Sequence, residues 1–356
     1  MNRILTFIRF GVPVLLLFSC GFSFPVPKEK AIVFKKFPEE KVATAVDCFT
    51  ISALKPSGLD LYNDSFLIVR NANNTSNYHF SIFNLHTKQF QLNVLGSGRK
   101  KGNSMGFLSY GILGDHLWVN DIIKEKLILT SLDSALYYKN DSSFTEIAVP
   151  TFFYSVRLLA PTELLGSGDY ESENRLALLN LSTGVTERKM VPYSQDSTLH
   201  YTRPEKMAYE SFLFLKPSQD KCVLAARYAD RIQLFDLNSG TSSIIKGPEN
   251  YEPDVSPMVG SDGKELSARN AKTRFAFVRG KTTNRFVYLL YSGNNHQSEN
   301  HEYGKYIYIY DWSGTPVKKI DLPVYIVDFA VTSNDTTIYV CDPKSKSIKS
   351  INLGTL

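Results

Sequence analysis

Cysteine is scarce in this sequence. Four residues, at positions 20, 48, 222 and 341, are too few and too widely spaced for a disulfide framework or for the paired spacing of a zinc site. Apolar runs of membrane-spanning length are missing too: past the first two dozen residues no stretch approaches the 20 or so apolar residues a spanning helix needs. Charge of either sign is nearly balanced. The formal net charge is +5, and without Arg3 and Arg9 of the N-terminal segment it falls to +3, which argues against nucleic acid as a partner. Helical periodicity is nowhere sustained beyond a turn or two, which excludes a bundle or coiled coil. No nucleophile, base and orienting residue occur together at a recognisable spacing.

What is present begins at the N-terminus. Arg3 and Arg9 precede an apolar run from Phe10 to Phe18, followed by small Ser19 and then Cys20. A basic segment, a short apolar segment and a small residue make a secretory signal. Leu17-Phe18-Ser19-Cys20 resembles a bacterial lipobox, in which the cysteine is lipidated and becomes the first residue of the mature chain. The expected organisation is a signal peptide over 1–19, a tether over 20–29 that includes FPVPKEK, and one folded domain over 30–356. Acyl chains on Cys20 would hold the protein at a membrane surface without any spanning segment. Cys48, Cys222 and Cys341 read as buried thiols, with a Cys48–Cys341 bridge left open because both lie near the expected point of chain closure.

Twenty Tyr and 23 Phe, with frequent Val, Ile and Thr, favour strands. Six segments share one pattern: HFSIFNL (79–85), KLILTSL (126–132), RLALLNL (175–181), RIQLFDL (231–237), YIYIYDW (306–312) and SIKSINL (347–353). Each is a mostly apolar run ending in Asn, Ser or Asp and then Leu or Trp. Their spacing suits one four-stranded blade per repeat. Second strands lie upstream as FLIVRN, HLWVND, ELLGSGD, CVLAARYAD, FVYLLYSG and IYVCD, and first strands before those include YSVRLLA, YESFLFLK and RFAFVRG. The expected fold is all-β, a six-bladed β-propeller closed by an N-terminal strand that completes the last blade, with KAIVFKKF (30–37) as that strand.

In a propeller the loops between second and third strands share a face with the blade-to-blade connections. Asn71, Asp121, Asp169, Asp230 and Asp342 end or follow second strands, and Arg99, Lys100 and Lys101 occupy the first connection, GSGRKKGNS (96–104). These residues are expected to surround one mouth of the central channel as a ligand-binding rim. Converging carboxylates there would suit a divalent cation or a polar ligand, although Asp and Asn at strand ends also cap their own turns. The basic loop lacks the phosphate-loop spacing and precedes no helix. HQSENHEYG (296–304) gathers His296, Glu299, His301 and Glu302 but without helical zinc spacing, and reads as a long polar insertion.

The lipobox at Leu17–Cys20, the six repeats and the glycine-rich VLGSGRKKG (94–102) together resemble the TolB-like six-bladed propeller lipoproteins of Gram-negative bacteria. In that family the loop often continues into Gly-Pro-Glu-Phe; here Gly106-Phe107 follows Asn103-Ser104-Met105 without the Pro-Glu. The resemblance implies an envelope lipoprotein with a binding propeller. The expectation is a monomeric protein, anchored in the outer membrane, that needs no cofactor and binds a protein, peptide or glycan without catalysis. The alternative is a metal-dependent hydrolase or lactonase, or a sugar lyase, using Asp121, Asp169, Asp230 and Asp342 with a divalent cation.

Overall fold

The computed structural model describes residues 31–51, 54–72, 77–140, 143–193 and 198–354. The expected signal peptide, Cys20 and the whole expected tether lie outside the described residues. Three short strands come first: β1 (Ala31–Val33), β2 (Glu39–Val42) and β3 (Ala45–Thr50). Six meandering antiparallel sheets follow. Blade 1 is β4 (Pro56–Tyr62), β5 (Phe66–Asn71), β6 (Tyr78–Asn84) and β7 (Gln89–Gly96). Blade 2 is β8 (Phe107–Leu113), β9 (His116–Asp121), β10 (Lys126–Ser131) and β11 (Phe144–Ala148), with helix α1 (Leu132–Tyr138) before its last strand. Blade 3 is β12 (Ser155–Ala160), β13 (Glu163–Ser167), β14 (Asn174–Asn180) and β15 (Val185–Pro192). Helix α2 (Arg203–Ala208) leads into blade 4, made of β16 (Ser211–Leu215), β17 (Lys221–Ala226), β18 (Arg231–Asp236) and β19 (Ser242–Lys246). A separate hairpin, β20 (Val255–Val259) with β21 (Glu265–Arg269), precedes blade 5, which is β22 (Phe277–Thr282), β23 (Phe286–Tyr291), β24 (Gly304–Asp311) and β25 (Pro316–Ile326). Blade 6 is β26 (Phe329–Val331), β27 (Thr337–Asp342) and β28 (Ser347–Asn352), with β3 as its outer strand.

The repeat signature has a physical origin. The Asn or Asp that ends a third strand folds its side chain over the next turn: Asn84 Oδ1 accepts from the backbone N–H of His86 and Thr87, both at 2.9 Å, and Asp236 and Asp311 do the same in blades 4 and 5. Each is the local capping for which short polar side chains are suited. The Leu that follows ties this turn to the turn between first and second strands of its own blade. The N–H groups of Leu85, Leu132, Leu181, Leu237 and Leu353 donate to the carbonyls of Ser65, Asp115, Thr162, Asp220 and Thr336. In blade 5 Trp312 makes the tie through its indole, Nε1 donating to the Thr283 carbonyl at 2.9 Å.

The core is divided among the blade interfaces. Leu59 and Leu67 of blade 1 pack against Ala330, Cys341 and Ile348 of blade 6, which joins the last blade to the first. Blades 1 and 2 meet through Phe80, Ile82, Phe107 and Val119, and blades 2 and 3 through Trp118, Leu127, Val156 and Leu164. Blades 3 and 4, 4 and 5, and 5 and 6 are joined likewise. A strand with both faces covered carries no polar alternation, and β23 (FVYLLY) is buried at every position. Full burial of each such side chain contributes about 1.5–3 kcal/mol, so the ring is held by its interfaces.

The leading segment departs from expectation. Residues 31–33 of KAIVFKKF do not complete blade 6; β1 runs parallel to β19 on the outer edge of blade 4. Next, β2 lies parallel to β25 on blade 5, and only β3, at 45–50, pairs antiparallel with β28. The chain thus covers the outer edges of three successive blades, protecting backbone groups that an open edge would expose. Between β1 and β2, Phe37 is 2% exposed and packs on Tyr308 and Tyr310 with ring centroids 4.7 and 5.7 Å away. This anchor explains the early placement: an aromatic with a pocket in blade 5 fixes where the strands before and after it must lie.

Cys48, Cys222 and Cys341 are free thiols. Cys48 on β3 and Cys341 on β27 are separated by β28, hence by about 10 Å at strand spacing, beyond the roughly 7 Å a disulfide spans. The fifth repeat is the longest, its third strand ending 75 residues after that of the fourth. Besides the polar insertion near 296–304, the β20–β21 hairpin fills the connection between blades 4 and 5.

Candidate binding site

The second-strand aspartates serve their own loops. Asp121 is fully buried, and its carboxylate accepts four hydrogen bonds: from Ser104 Oγ at 2.7 Å and from the N–H groups of Met105, Ile123 and Lys124 at 2.6, 2.9 and 2.8 Å. Asp342 accepts from Lys344 and Ser345 N–H, and Asp169 from Glu171 N–H. Asp230 accepts from Glu249 and Asn250 N–H at 2.8 and 3.1 Å, while its other oxygen has no partner. Burial pushes that carboxyl up to about 6. Asn71 Nδ2 donates to Ser81 Oγ, which donates on to Asn93 Oδ1.

Arg99, Lys100 and Lys101 are exposed on the connection between blades 1 and 2. That loop is held by Glu146, whose Oε1 accepts from Gly102 N–H at 2.8 Å and from Lys124 Nζ at 3.2 Å. The hydrogen bond from Lys126 is foremost in drawing the Glu146 carboxyl down to about 2. None of these eight residues lines the central cavity. Among the described residues no three His, Cys, Asp or Glu side chains are grouped to hold a metal ion. His296 stacks on Phe275, His301 lies tilted against the same ring, and Glu302 pairs with Arg227 at 2.6 Å.

The concave feature of the molecule is a cavity of about 950 Å³ lined by the first strands of the blades and by residues at both of their ends. Its polar groups come from positions embedded in apolar strands. Arg157 sits between buried Val156 and Leu158 on β12, and Arg279 follows Val278 on β22 with Lys281 two residues on. Alternation along a strand puts Arg279 and Lys281 on one side and their apolar neighbours on the other. Asp60 on β4 and Tyr110 on β8 take equivalent places, Asp328 leads into β26, and Arg70 reaches in from β5.

Close backbone approach makes room for these groups. A Cβ on Gly58 would meet the Tyr110 hydroxyl at 2.2 Å, and one on Gly280 would meet the Phe214 ring at 2.7 Å. A side chain at either position would force the facing ring to shift.

The charges are unevenly matched. Lys281 Nζ lies 3.2 Å from Asp60 Oδ2 and 3.9 Å from Asp328 Oδ2. Burial lowers the Lys281 ammonium pKa, but Asp328 and Asp60 outweigh it and hold the group above its ordinary value. Asp328 also accepts from Leu59 and Phe329 N–H. The arginines have no such partners. Arg157 Nη1 donates to the Val156 carbonyl at 2.8 Å and Arg279 Nη1 to the Val278 carbonyl at 2.6 Å, while Arg70 Nη2 approaches the Phe107 carbonyl at 3.4 Å. Among the described residues none of the three reaches a carboxylate within ion-pair distance. Aromatic faces support two of them: Arg70 lies 4.5 Å from the Phe107 centroid and Arg157 5.2 Å from that of Phe214. Burial lowers Arg70 and brings Arg157 down to about 10. Tyr110 is pushed up to about 12, also by burial.

At one end of the cavity Arg227 gathers Tyr154 Oη at 2.9 Å, Glu210 at 3.0 Å and Glu302 at 2.6 Å, and lies over the Phe212, Tyr228 and Phe275 rings. A smaller hollow beside the β20–β21 hairpin shares Arg227 and Glu302 with the cavity. The strands bearing Arg157 and Arg279 are legible in the sequence, but their charges are not singled out there. The available signal is a basic residue in the middle of an otherwise apolar first strand, as in SVRLLA and FVRGK.

The sequence matches the profile of the TolB-like 6-blade propeller-like family over residues 33–334. No curated protein matches it. Among solved structures, the β-propeller domain of Cps50 (Swd1) from Myceliophteria thermophila is similar with a TM-score of 0.47 and 12% identity, covering 87% of this chain and 100% of that one. Hydrazine synthase of Kuenenia stuttgartiensis gives 0.43 and 11%, covering 86% and 97%. With the family match extending over most of the chain and six blades arranged in a ring, the protein belongs to the TolB-like six-bladed propeller family.

Proposed function

We propose that this protein is a lipid-anchored cell-envelope binding module whose ligand enters the central cavity and leaves chemically unchanged. The cavity of about 950 Å³ carries this reading, since ligand sites are concave and mostly preformed. A space of that size receives a peptide segment or a short glycan better than it does a folded protein. The anchoring half is supported by Leu17–Cys20, and the location proposed is the outer membrane of a Gram-negative cell. The binding half is supported by how the acidic groups are used. The Asp121 carboxylate is occupied by four hydrogen bonds from its own loops, so it is committed to structure and not to chemistry.

Two measurements test the proposal. Cys20→Ala should release the protein from washed membranes; retention with unchanged mass contradicts the anchor. For the cavity, peptides and envelope glycans are arrayed against the full mature protein and against Leu108→Trp. Leu108 lines the cavity and is 44% exposed, so the added bulk enters free space. Retention of intact ligands by the parent and loss in the variant is expected. Equal retention by both, or cleavage of the arrayed ligands, overturns the reading.

A further inference from the structure

Four cations and two carboxylates come together in the cavity, Arg157, Arg279 and Lys281 from first strands and Arg70 from β5 against Asp60 and Asp328. The other charged lining groups are engaged elsewhere, Arg227 with Glu210 and Glu302, Lys216 with Asp220, and Asp64 with Ser333. The two carboxylates are turned toward Lys281, at 3.2 and 3.9 Å. Two positive charges therefore remain uncompensated, and the groups without carboxylates are guanidiniums. A guanidinium carries five N–H donors in a planar fork. Arg157 and Arg279 each spend one donor on a neighbouring backbone carbonyl, so most of each fork is left for something else. The ring stacking of Arg70 and Arg157 engages the faces of those planes and leaves their edges available.

Unpaired cations in a partly buried hollow are costly unless an anion meets them. Nothing in the ring requires that cost. Phe214 and Leu158 line the same cavity from first strands without charge. The surplus is therefore explained by a ligand, and its size sets the ligand's charge.

We infer that the cavity is a binding site for a small organic dianion, or for the dianionic portion of a larger ligand, whose carboxylate or phosphate oxygens are held by Arg70, Arg157 and Arg279. This rests on the reading of the cavity as the ligand site and adds its chemistry. Carboxylate and phosphate share that recognition, because both accept paired N–H donors from a guanidinium.

Asp60 offers a test that a structural role would not pass. Removing its charge frees Lys281 from one partner and raises the surplus, so the anion should bind more tightly. Titration calorimetry on the full mature protein uses four probes: digalacturonate and glutarate as dicarboxylates, glucose 6-phosphate as a phosphate dianion, and galactobiose as a neutral control. At least one dianion is expected to bind, weakening as salt screens the contact, with galactobiose silent. Arg157→Gln and Arg279→Gln should each weaken binding about ten- to hundred-fold, Asp60→Asn should strengthen it, and the surface variant Lys101→Gln should leave it unchanged. Preference among the three dianions assigns carboxylate or phosphate.

If galactobiose binds as well as the dianions and Leu108→Trp abolishes both, the cavity is a ligand site but the dianion inference is overturned. Should no probe bind, or should dianion affinity be indifferent to Arg157→Gln, Arg279→Gln and Asp60→Asn alike, the inference is also overturned. Failure of the cavity reading itself would show separately, as equal retention by Leu108→Trp on the array.

Discussion

Phe214 stands between Arg157 and Gly280: the guanidinium carbon of Arg157 lies 5.2 Å from the ring centroid, and the ring's edge fills the space where a Cβ on Gly280 would sit, 2.7 Å away. Gly280→Ala should accordingly displace the ring and cost about 1–3 kcal/mol of stability, the usual penalty of overpacking. Urea unfolding measures it. Because the ring backs Arg157, dianion affinity should fall in the same variant, and an unchanged unfolding midpoint would show that the ring is free to yield.

Asp121 separates a structural from a functional role. Replacing it with Ala leaves three backbone N–H groups and the Ser104 hydroxyl without their acceptor, a loss of about 3–5 kcal/mol by analogy with broken buried charge networks. Thermal or urea unfolding should show that loss while ligand affinity in the folded fraction is retained. Normal stability with lost binding would return Asp121 to the rim of a binding site.

Much of the fold is legible in the sequence because its signals are local. The Asn-Leu and Asp-Leu endings mark third strands because a capping side chain and a turn-to-turn hydrogen bond both act within one blade. The second strands FLIVRN and HLWVND coincide with β5 and β9. The leading segment was misplaced because 31–33 and 45–50 are both short strand-like runs. Choosing between them depends on Phe37 finding its pocket against Tyr308, a contact 271 positions distant that no local pattern encodes. The cavity was missed for a related reason. Arg157, Arg279 and Asp60 are unremarkable singly, and their meaning arises only when ring closure brings first strands together. The short helix α1 that follows KLILTSL, capped by Ser131 Oγ accepting from Ser134 N–H, has no sustained periodicity to announce it.

Asp230 makes stability depend on pH. Its carboxyl is raised from 3.8 to about 6 in the folded protein. Below pH 3.8 both states carry the proton and there is no cost. Between the two values the folded state holds more protons than the unfolded one, so stability falls as pH rises. Above pH 6 the accumulated cost levels off at about 3 kcal/mol, from roughly 1.4 kcal/mol per pH unit. Asp230→Asn should remove this fall. Unfolding midpoints at pH 4 and pH 7, compared between parent and variant, check it; parallel profiles would contradict the burial argument.

The leading strands should be indispensable. A chain beginning at Ile51 lacks β1, β2 and β3 and bares the outer edges of β19, β25 and β28. Exposed edges recruit other strands, so size-exclusion chromatography should show aggregated material in place of the parent's compact peak. A compact truncation with native unfolding behaviour would mean that the ring is complete without the leading strands.

Thiol reactivity follows from the same geometry. Cys222 and Cys341 are buried and burial raises both, Cys341 to about 12, whereas Cys48 is partly exposed. In the Cys20→Ala protein one thiol, Cys48, should react with an aromatic disulfide reagent before denaturation and three after it. Absence of Cys48 reactivity together with a linked Cys48–Cys341 peptide would contradict the three-strand spacing.

Arginine footprinting addresses the cavity most directly. Phenylglyoxal modification of the full mature protein, read by peptide mass spectrometry, is run with and without a saturating dianion. Protection of Arg70, Arg157 and Arg279, with exposed Arg99 modified equally in both samples, is the predicted result. Equal modification of all four with the dianion bound would place the ligand elsewhere and contradict the account.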